Sequence, residues 1–390
     1  MVDGIIDNFS DFRQFRIEDV TVIDSPAAFC SMVLEKARTS SSVYLACLVL
    51  GLGDHTRMLL DILEERMLQN RKTVVLVDKS RNLRDAGLVE YLNKKGLWSI
   101  IKTVDSGKCS ILPHALNEFL GVYHLKAYIF DDEVCISGAN LNNSYFVDRI
   151  DRYYLIKNRQ LSLSMISSVF NEEVLCPAGH RDIENSITNP HRRMDAIDQM
   201  HLKTRLFNFT ESQEIDILER LLKYKFTEIV VSTAYLNFTN EHIRILKPHP
   251  FKLFSPAPKA NTFNDFSWLG QFITEVYSYS NYRTMRYLPR CRLYEYYNEG
   301  YSFHTKGLWL FGDGCCATIV GSTNFNQRSI KIDRECSWAI ISNDPKIEAK
   351  MRKEVEEIER HSERAQLAVL ARRRFSLLVY IMYYLFNIFF

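Results

Sequence analysis

Two histidines, each followed two residues later by a lysine, carry the pattern in this chain best suited to chemistry: His124-Leu125-Lys126 and His304-Thr305-Lys306. A small-residue loop with an asparagine follows each pair, Gly138-Ala139-Asn140 in the first copy and Gly321-Ser322-Thr323-Asn324 in the second. Eleven residues beyond each asparagine stands a carboxylate, Asp151 and Glu335. A lone His-x-Lys says nothing. The same residue types in the same order at a matched offset, twice, are hard to reach by chance. In a strand, residues i and i+2 share a face, so each imidazole projects beside its ammonium. If the repeat pairs the two halves, one seam receives two imidazoles, two ammoniums and two carboxamides. Such a set binds phosphate, with each lysine acting as a point charge on non-bridging oxygens. One imidazole is a competent nucleophile at phosphorus, and the second can protonate a leaving group. Asp151 and Glu335 would each hold the inner ring nitrogen of a histidine and fix its tautomer. No carboxylate cluster suggests a metal, so no cofactor is expected, and Lys126 and Lys306 neutralise the transition state. The bland alternative makes the histidines satisfied core or surface groups, and Ser322 and Asn324 caps of a helix over 326–330.

The elements that must position these residues are themselves repeated. Residues 43–50 form a continuous apolar run of strand length that Gly51 and Gly53 end. A helical pattern follows in Met58, Leu59, Leu60, Ile62, Leu63 and Met67, and then a short buried strand over 74–77. The second copy runs from the strand 229–236 through a polar turn at 237–240 to a helix start at 242–246 and a strand over 251–254. The His-x-Lys stretches read as hairpins, 123–131 with 134–137 and 303–310 with 315–320. Apolar strands alternating with amphipathic helices predict the α/β class, two similar halves, each a mixed sheet covered by helices, with the site at their seam. The expected division is an extension over 1–24, a first half over 25–176, a linker over 177–200, a second half over 201–345, and a C-terminal helix and apolar tail over 346–390.

A length of 390 residues agrees with two such units. Hydrophobic residues at 46% and charged residues at 25% exclude disorder, collagen and coiled coil. Lys+Arg 49 against Asp+Glu 47 gives a net charge of +2, so no broadly basic surface for nucleic acid is expected. Nine cysteines, an odd number without a CxxC pair, read as reduced thiols. The first twenty residues carry Asp3, Asp7, Asp11, Glu18 and Asp19 against Arg13 and Arg16, unlike a signal or transit peptide. At the other end, Arg372, Arg373 and Arg374 precede an apolar run over 375–390. At about 1.5 Å per residue this run spans roughly 24 Å, short of a hydrocarbon core of roughly 30 Å. It is expected to lie in an anionic membrane interface, the alternative being a terminal helix packed on the protein's own core.

At these residues the chain resembles the phospholipase D superfamily, whose signature is HxKx4D followed by G-[ST]-x-N. His124, Lys126 and Asp131 match the first part fully. In the second copy His304 and Lys306 match, but Phe311 stands where the Asp belongs, and Asp313 comes two residues late. Asp131 is carried with the catalytic set, although its offset puts it on the opposite face or in the turn. Within the superfamily the chain is similar to eukaryotic CDP-diacylglycerol–glycerol-3-phosphate 3-phosphatidyltransferases. The similarity lies in the stretches LVLGLG (48–53), YHLKAYIFDDEVCISGANLNNSYF (123–146), DRY (151–153), FHTKGLWL (303–310), GSTNFNQRS (321–329) and the aromatic C-terminus. The resemblance implies a ping-pong transfer from CDP-diacylglycerol to glycerol 3-phosphate, in which His124 attacks phosphorus, and His304 protonates departing CMP and then deprotonates the acceptor hydroxyl. It also implies association with the mitochondrial inner membrane. Arg81 and Arg84 are candidates for the acceptor's phosphate, with ordinary surface charge as the alternative. Gly51 and Gly53 are candidates for close approach to a nucleotide phosphate, with a plain strand-to-helix turn as the alternative. Rival readings are a CDP-diacylglycerol–serine transferase, a phosphodiesterase using water, and a catalytically silent membrane scaffold.

Overall fold

A computed structural model describes residues 1–104, 122–171, 203–263 and 268–385. The expected linker over 177–200 lies outside them, as do Cys109 and Cys176. Among the described residues there are two large mixed sheets. The first has seven strands in the spatial order Thr21–Ile23, Tyr153–Lys157, Glu133–Ser137, Ala127–Phe130, Val43–Cys47, Thr73–Asp78, Ile101–Val104. The second has nine: Phe15–Arg16, Thr204–Thr210, Cys336–Ser342, Cys315–Gly321, Gly307–Gly312, Glu228–Ser232, Phe251–Pro256, Cys291–Tyr296, Ser362–Arg364. At the centre of each sheet the same motif recurs. A parallel strand pair (Val43–Cys47 with Thr73–Asp78; Glu228–Ser232 with Phe251–Pro256) lies antiparallel to the hairpin that follows His-x-Lys. The two-half α/β architecture is therefore observed.

Both faces of each sheet are covered, which is why the central strands read as unbroken apolar runs. Tyr44 and Ala46 of one strand face a central core, whereas Val43, Leu45 and Cys47 face an outer one. The helices Arg159–Phe170 and Pro345–Arg360 supply Leu161, Met165, Ile166, Ile347, Met351 and Val355 to that central core, which both sheets share. The halves are thus joined by one apolar interior. Residues 1–24 strap them together. The helix Val2–Asp7 puts Val2, Ile5 and Ile6 into the outer core of the second half. Phe15–Arg16 then pairs with Thr204–Thr210, and Thr21–Ile23 with Tyr153–Lys157. The seven described cysteines are free and buried.

In the first half two strands are shorter than expected for a physical reason. The first apolar run stops as a strand at Cys47, because the Leu48 and Leu50 amides donate to the side-chain oxygens of Asn140 and Asn82 (3.1 and 2.9 Å) rather than to a ladder. The first hairpin starts only at Ala127, because residues 122–124 pair elsewhere. At the C-terminus, Leu367–Arg372 and Leu377–Leu385 are helices beside the helix Trp268–Tyr287. Val379 and Tyr383 are buried there against Val276, Tyr277 and Tyr279, while Leu377 and Leu385 remain 75% and 71% exposed. Arg373 is not a free headgroup ligand: its guanidinium grips Glu295 through two bonds of 2.6 and 2.5 Å. Arg372 and Arg374 are exposed. No helix among the described residues is long and apolar enough to cross a membrane.

Candidate active site

The two His-x-Lys segments leave their own hairpins and pair across the seam. His124 N donates to Arg334 O (3.0 Å) and Arg334 N to Val122 O (3.1 Å), a parallel bridge to the segment that carries Glu335. In the mirror arrangement, Ser302–Phe303 pairs parallel with Arg149–Ile150, and His304 N donates to Ile150 O (2.9 Å), next to Asp151. Each histidine is therefore held by the acid of the other half. His124 Nδ1 donates to Glu335 Oε2 at 2.7 Å, and His304 Nδ1 to Asp151 Oδ2 at 2.6 Å. In each dyad Nε2 is left as the reactive nitrogen. Lys126 Nζ donates to the carbonyl of His124 (2.7 Å) and Lys306 Nζ to that of His304 (2.6 Å). Lys306 also lies 3.1 Å from Asp151 Oδ2. Gly138 makes this closeness possible. A Cβ there would stand 2.8 Å from Asp151 Oδ1, from Lys306 Nζ and from the carbonyl of Gly321 on the opposite half.

The six ionisable groups act on one another in a dry setting. Burial pushes Lys126 down to about 7, with Glu335 opposing the fall and Lys306 adding to it. Burial also lowers Lys306, against Asp151. Both imidazoles fall below the ordinary histidine value, mainly through burial, with Lys126 adding to the effect on His124 and Lys306 to that on His304, which falls further. Burial alone would raise Glu335, but the charges of His124 and Lys126 outweigh it and hold the carboxyl at about 2. Asp151 is lowered in the same way, Lys306 and His304 overcoming its burial. Burial thus pushes both imidazoles and both ammoniums toward their neutral forms, while the neighbouring cations hold both carboxyls in their charged form. A bound phosphate anion would favour every positive charge in the set.

The remaining expected residues divide. Asn140 lies at the seam side of the first sheet and accepts the Leu48 amide. Asn324 keeps a buried Oδ1 without a hydrogen-bond partner among the described residues. Ser322 exchanges hydrogen bonds with the backbone of Cys336 (3.0 and 3.1 Å) and acts on Glu335, so it supports the dyad. The cap of the helix Gln327–Lys331 is Asn326 rather than Asn324. Asp131 must be removed from the catalytic set. It sits in the hairpin turn at φ +53°, where its carboxylate accepts from Ser41 N (2.9 Å) and Ser42 N (2.7 Å). Gly51 and Gly53 are also corrected. A Cβ on Gly53 would stand 2.2 Å from Asn143 Cβ, and one on Gly51 3.3 Å from Asn142 Cβ. Asn143 Oδ1 accepts the His55 amide at the start of the helix Asp54–Leu68, occupying the helix terminus a phosphate would need. Arg81, half-buried in the helix Lys79–Leu83, acts on the hydroxyl of Tyr235, whereas Arg84 is exposed at the end of that helix.

Three residues of the site were not singled out from sequence. Tyr145 places its hydroxyl 3.1 Å from His304 Nε2, with the rings edge-on at 5.1 Å. Tyr235 flanks the same imidazole at 5.6 Å. Arg149 lies over the Tyr145 ring at 4.9 Å. The signal for Arg149 was its place two residues before Asp151, hence on the same face of an extended segment.

With this geometry in hand, comparison with known proteins is specific. No protein-family model matches the chain. Its fold is that of a phosphatidylserine synthase from Haemophilus influenzae Rd KW20, with a TM-score of 0.74 and 18% identity, covering 93% of this chain and 92% of that one. In sequence it is similar to the mitochondrial CDP-diacylglycerol–glycerol-3-phosphate 3-phosphatidyltransferase of Gallus gallus, 25% identical over 430 residues (87% of this chain, 77% of the relative). The Saccharomyces cerevisiae protein of that activity is 26% identical over 434 residues (88% and 82%).

Proposed function

We propose that the protein is a phosphatidyltransferase that makes phosphatidylglycerophosphate and CMP from CDP-diacylglycerol and glycerol 3-phosphate. The observation that carries the chemistry is the pair of crossed dyads, His124–Glu335 and His304–Asp151, with Lys126 and Lys306 beside them. The names of the sequence relatives carry the choice of donor and acceptor. In the first step His124 Nε2 forms a bond to the phosphorus of the phosphatidyl group. The phosphorus–oxygen bond to CMP breaks, and the departing oxygen takes a proton from His304, which the substrate's charge has protonated. In the second step the primary hydroxyl of glycerol 3-phosphate gives its proton to His304 as its oxygen attacks phosphorus. The bond to His124 then breaks, restoring the free enzyme. Both transition states place developing charge between the two lysines, so the chemical step is proposed to run without a metal.

The exposed side of Leu377–Leu385, with Arg372 and Arg374 beside it, is proposed to sit in an anionic membrane surface. Two contacts support this reading. Tyr383 of that helix donates to Asn237 Oδ1 (3.0 Å), and Tyr235, two residues earlier, flanks His304. The tail helix is thereby tied to the segment 235–237 that borders the reacting centre, which supports placing the membrane on that side of the site. By the names of its animal relatives, the membrane is proposed to be mitochondrial.

The test is incubation of the purified chain with labelled CDP-diacylglycerol plus glycerol 3-phosphate, serine or water, with lipid products identified. Phosphatidylglycerophosphate formed only with glycerol 3-phosphate supports the reading. Phosphatidylserine with serine, phosphatidic acid as sole product, or no CMP release with any acceptor refutes it. Label found on His304 rather than His124 would reverse the assignment of the nucleophile.

A further inference from the structure

Arg149 is a cation beside His304 that the two-histidine chemistry does not use. It occupies the short strand Arg149–Ile150, whose partner Ser302–Phe303 leads directly into His304. Its side chain lies over the ring of Tyr145, the residue whose hydroxyl is 3.1 Å from His304 Nε2. Its Nε points to Ser302 Oγ at 3.5 Å, a long and weak contact. Among the described residues Arg149 forms no ion pair, and the groups acting on its charge are Tyr145, Tyr235 and its chain neighbour Asp148. The other inward-facing cations differ. Lys306 has Asp151, Arg152 has Glu354 at 2.8 Å, and Arg328 has Asp333 at 2.9 Å. A half-buried guanidinium whose hydrogen-bond partners are the Tyr145 phenol and, weakly, a serine has no carboxylate in contact with it among the described residues, and its charge calls for an anion.

We infer that Arg149 binds a substrate phosphate other than the one being transferred, on the His304 side of the site. The inference rests on the proposed transfer reaction and deepens it. The transferred phosphorus lies between the lysines, and the groups that leave from it or attack it do so at His304. Two phosphates reach that side in turn: the second phosphate of the CDP group, which departs as CMP, and the phosphate of glycerol 3-phosphate. Both are phosphate monoesters once CMP is free, and a guanidinium fork suits either. The acceptor's phosphate fits better, because its three-carbon backbone sets it away from the reacting hydroxyl, as Arg149 is set away from His304 by the width of the Tyr145 ring. Arg149 would then select an acceptor bearing a phosphate over glycerol, serine or water.

The experiment compares the full chain with Arg149→Gln and Arg149→Lys in detergent micelles, with thermal unfolding measured for each. CMP release is followed with water as the sole acceptor, with glycerol, and with glycerol 3-phosphate. Binding of glycerol 3-phosphate and of inorganic phosphate is titrated separately. Loss of a charge-assisted, two-pronged contact should raise KM for glycerol 3-phosphate, and weaken its titrated binding, by at least about 30-fold in Arg149→Gln. Arg149→Lys should recover only part of this. If hydrolysis by water and KM for CDP-diacylglycerol stay within about threefold, the phosphate is the acceptor's. If they fall together with transfer while titrated binding of glycerol 3-phosphate holds, it is the nucleotide's. Unchanged binding and unchanged kinetics in both folded variants overturn the inference, as does failure of both variants to fold, which would make Arg149 a structural residue. Should the wild-type chain release no CMP at all, the transfer reading fails. The phosphate titration, positive in wild type and lost in Arg149→Gln, still decides whether Arg149 holds an anion.

Discussion

Replacing Glu335 by Gln tests the crossed dyads at one atom. Ser329 Oγ donates to Glu335 Oε1 at 2.9 Å, a bond that a glutamine carbonyl keeps, so the local fold should survive. The other oxygen becomes an NH2 facing His124 Nδ1, where Oε2 accepted at 2.7 Å. An amide donor there pulls the imidazole into the opposite tautomer, with hydrogen on Nε2, and the nucleophilic lone pair is lost. The lost charge-assisted bond alone is worth about 1.5–3 kcal/mol, or roughly 10- to 150-fold in rate. Tautomer loss adds to it; in serine proteases the same Asp-to-Asn change behind histidine costs about 10⁴-fold in kcat. A fall of about 10³-fold is expected here. A second effect has a definite sign. Glu335 is the largest influence keeping Lys126 protonated against burial, which already lowers it to about 7. Removing the negative charge lowers Lys126 further. The alkaline limb of kcat/KM, set in the free enzyme by loss of that proton, should therefore move to lower pH in the variant. Initial CMP release measured from pH 5 to 9 decides both points. A loss under tenfold, or an alkaline limb that stays or moves up, refutes the dyad assignment.

Three further outcomes follow from the geometry. Replacing His124 or His304 by Ala should each abolish turnover, with the double variant little worse in CMP release, because the pair acts as one unit. Asp131→Ala should cost about 1–3 kcal/mol of stability by denaturant titration, through the unpaired amides of Ser41 and Ser42, yet leave kcat nearly unchanged; a catalytic collapse in a folded variant would return Asp131 to the site. Leu378→Ser with Ile381→Ser, on the exposed side of the tail helix, should weaken sedimentation with anionic vesicles at least about tenfold without shifting Tm, since each buried leucine or isoleucine side chain is worth about 1.5–3 kcal/mol. Unaltered vesicle binding would assign the helix to packing alone.

Much of the fold was legible because each central strand is covered on both faces and must be apolar at every position. VYLAC and IVVS announce themselves, and the turns after them are marked by glycine or by Asn and Thr. Residues 1–24 were not legible as parts of both sheets. Phe15–Arg16 is two residues long, and nothing local distinguishes an edge strand from an extended tail when its partner, Thr204–Thr210, lies nearly two hundred positions away. The tail read as an apolar run. That one side of it packs on Trp268–Tyr287, fixed by Tyr383 and by the Arg373–Glu295 pair, depends on a helix whose own pattern gives no hint of a partner.

The site was legible to the level of residue type, and its wiring was not. Matched spacing pointed to four catalytic side chains and two acids, but spacing within a half does not say which histidine each acid serves. The structure joins His124 to an acid 211 residues away and His304 to one 153 residues away. The reason is geometric. Each His-x-Lys segment precedes its hairpin, so its backbone amides have no partner in their own sheet. The acid-bearing segment of the opposite half offers a free edge in the parallel direction. Pairing the two satisfies both backbones at once and sets histidine and carboxylate side by side. The consequence is functional. Neither half can orient its own imidazole, so a site of this kind is complete only when both halves are docked, and the shared apolar interior that docks them is as necessary to the chemistry as the histidines.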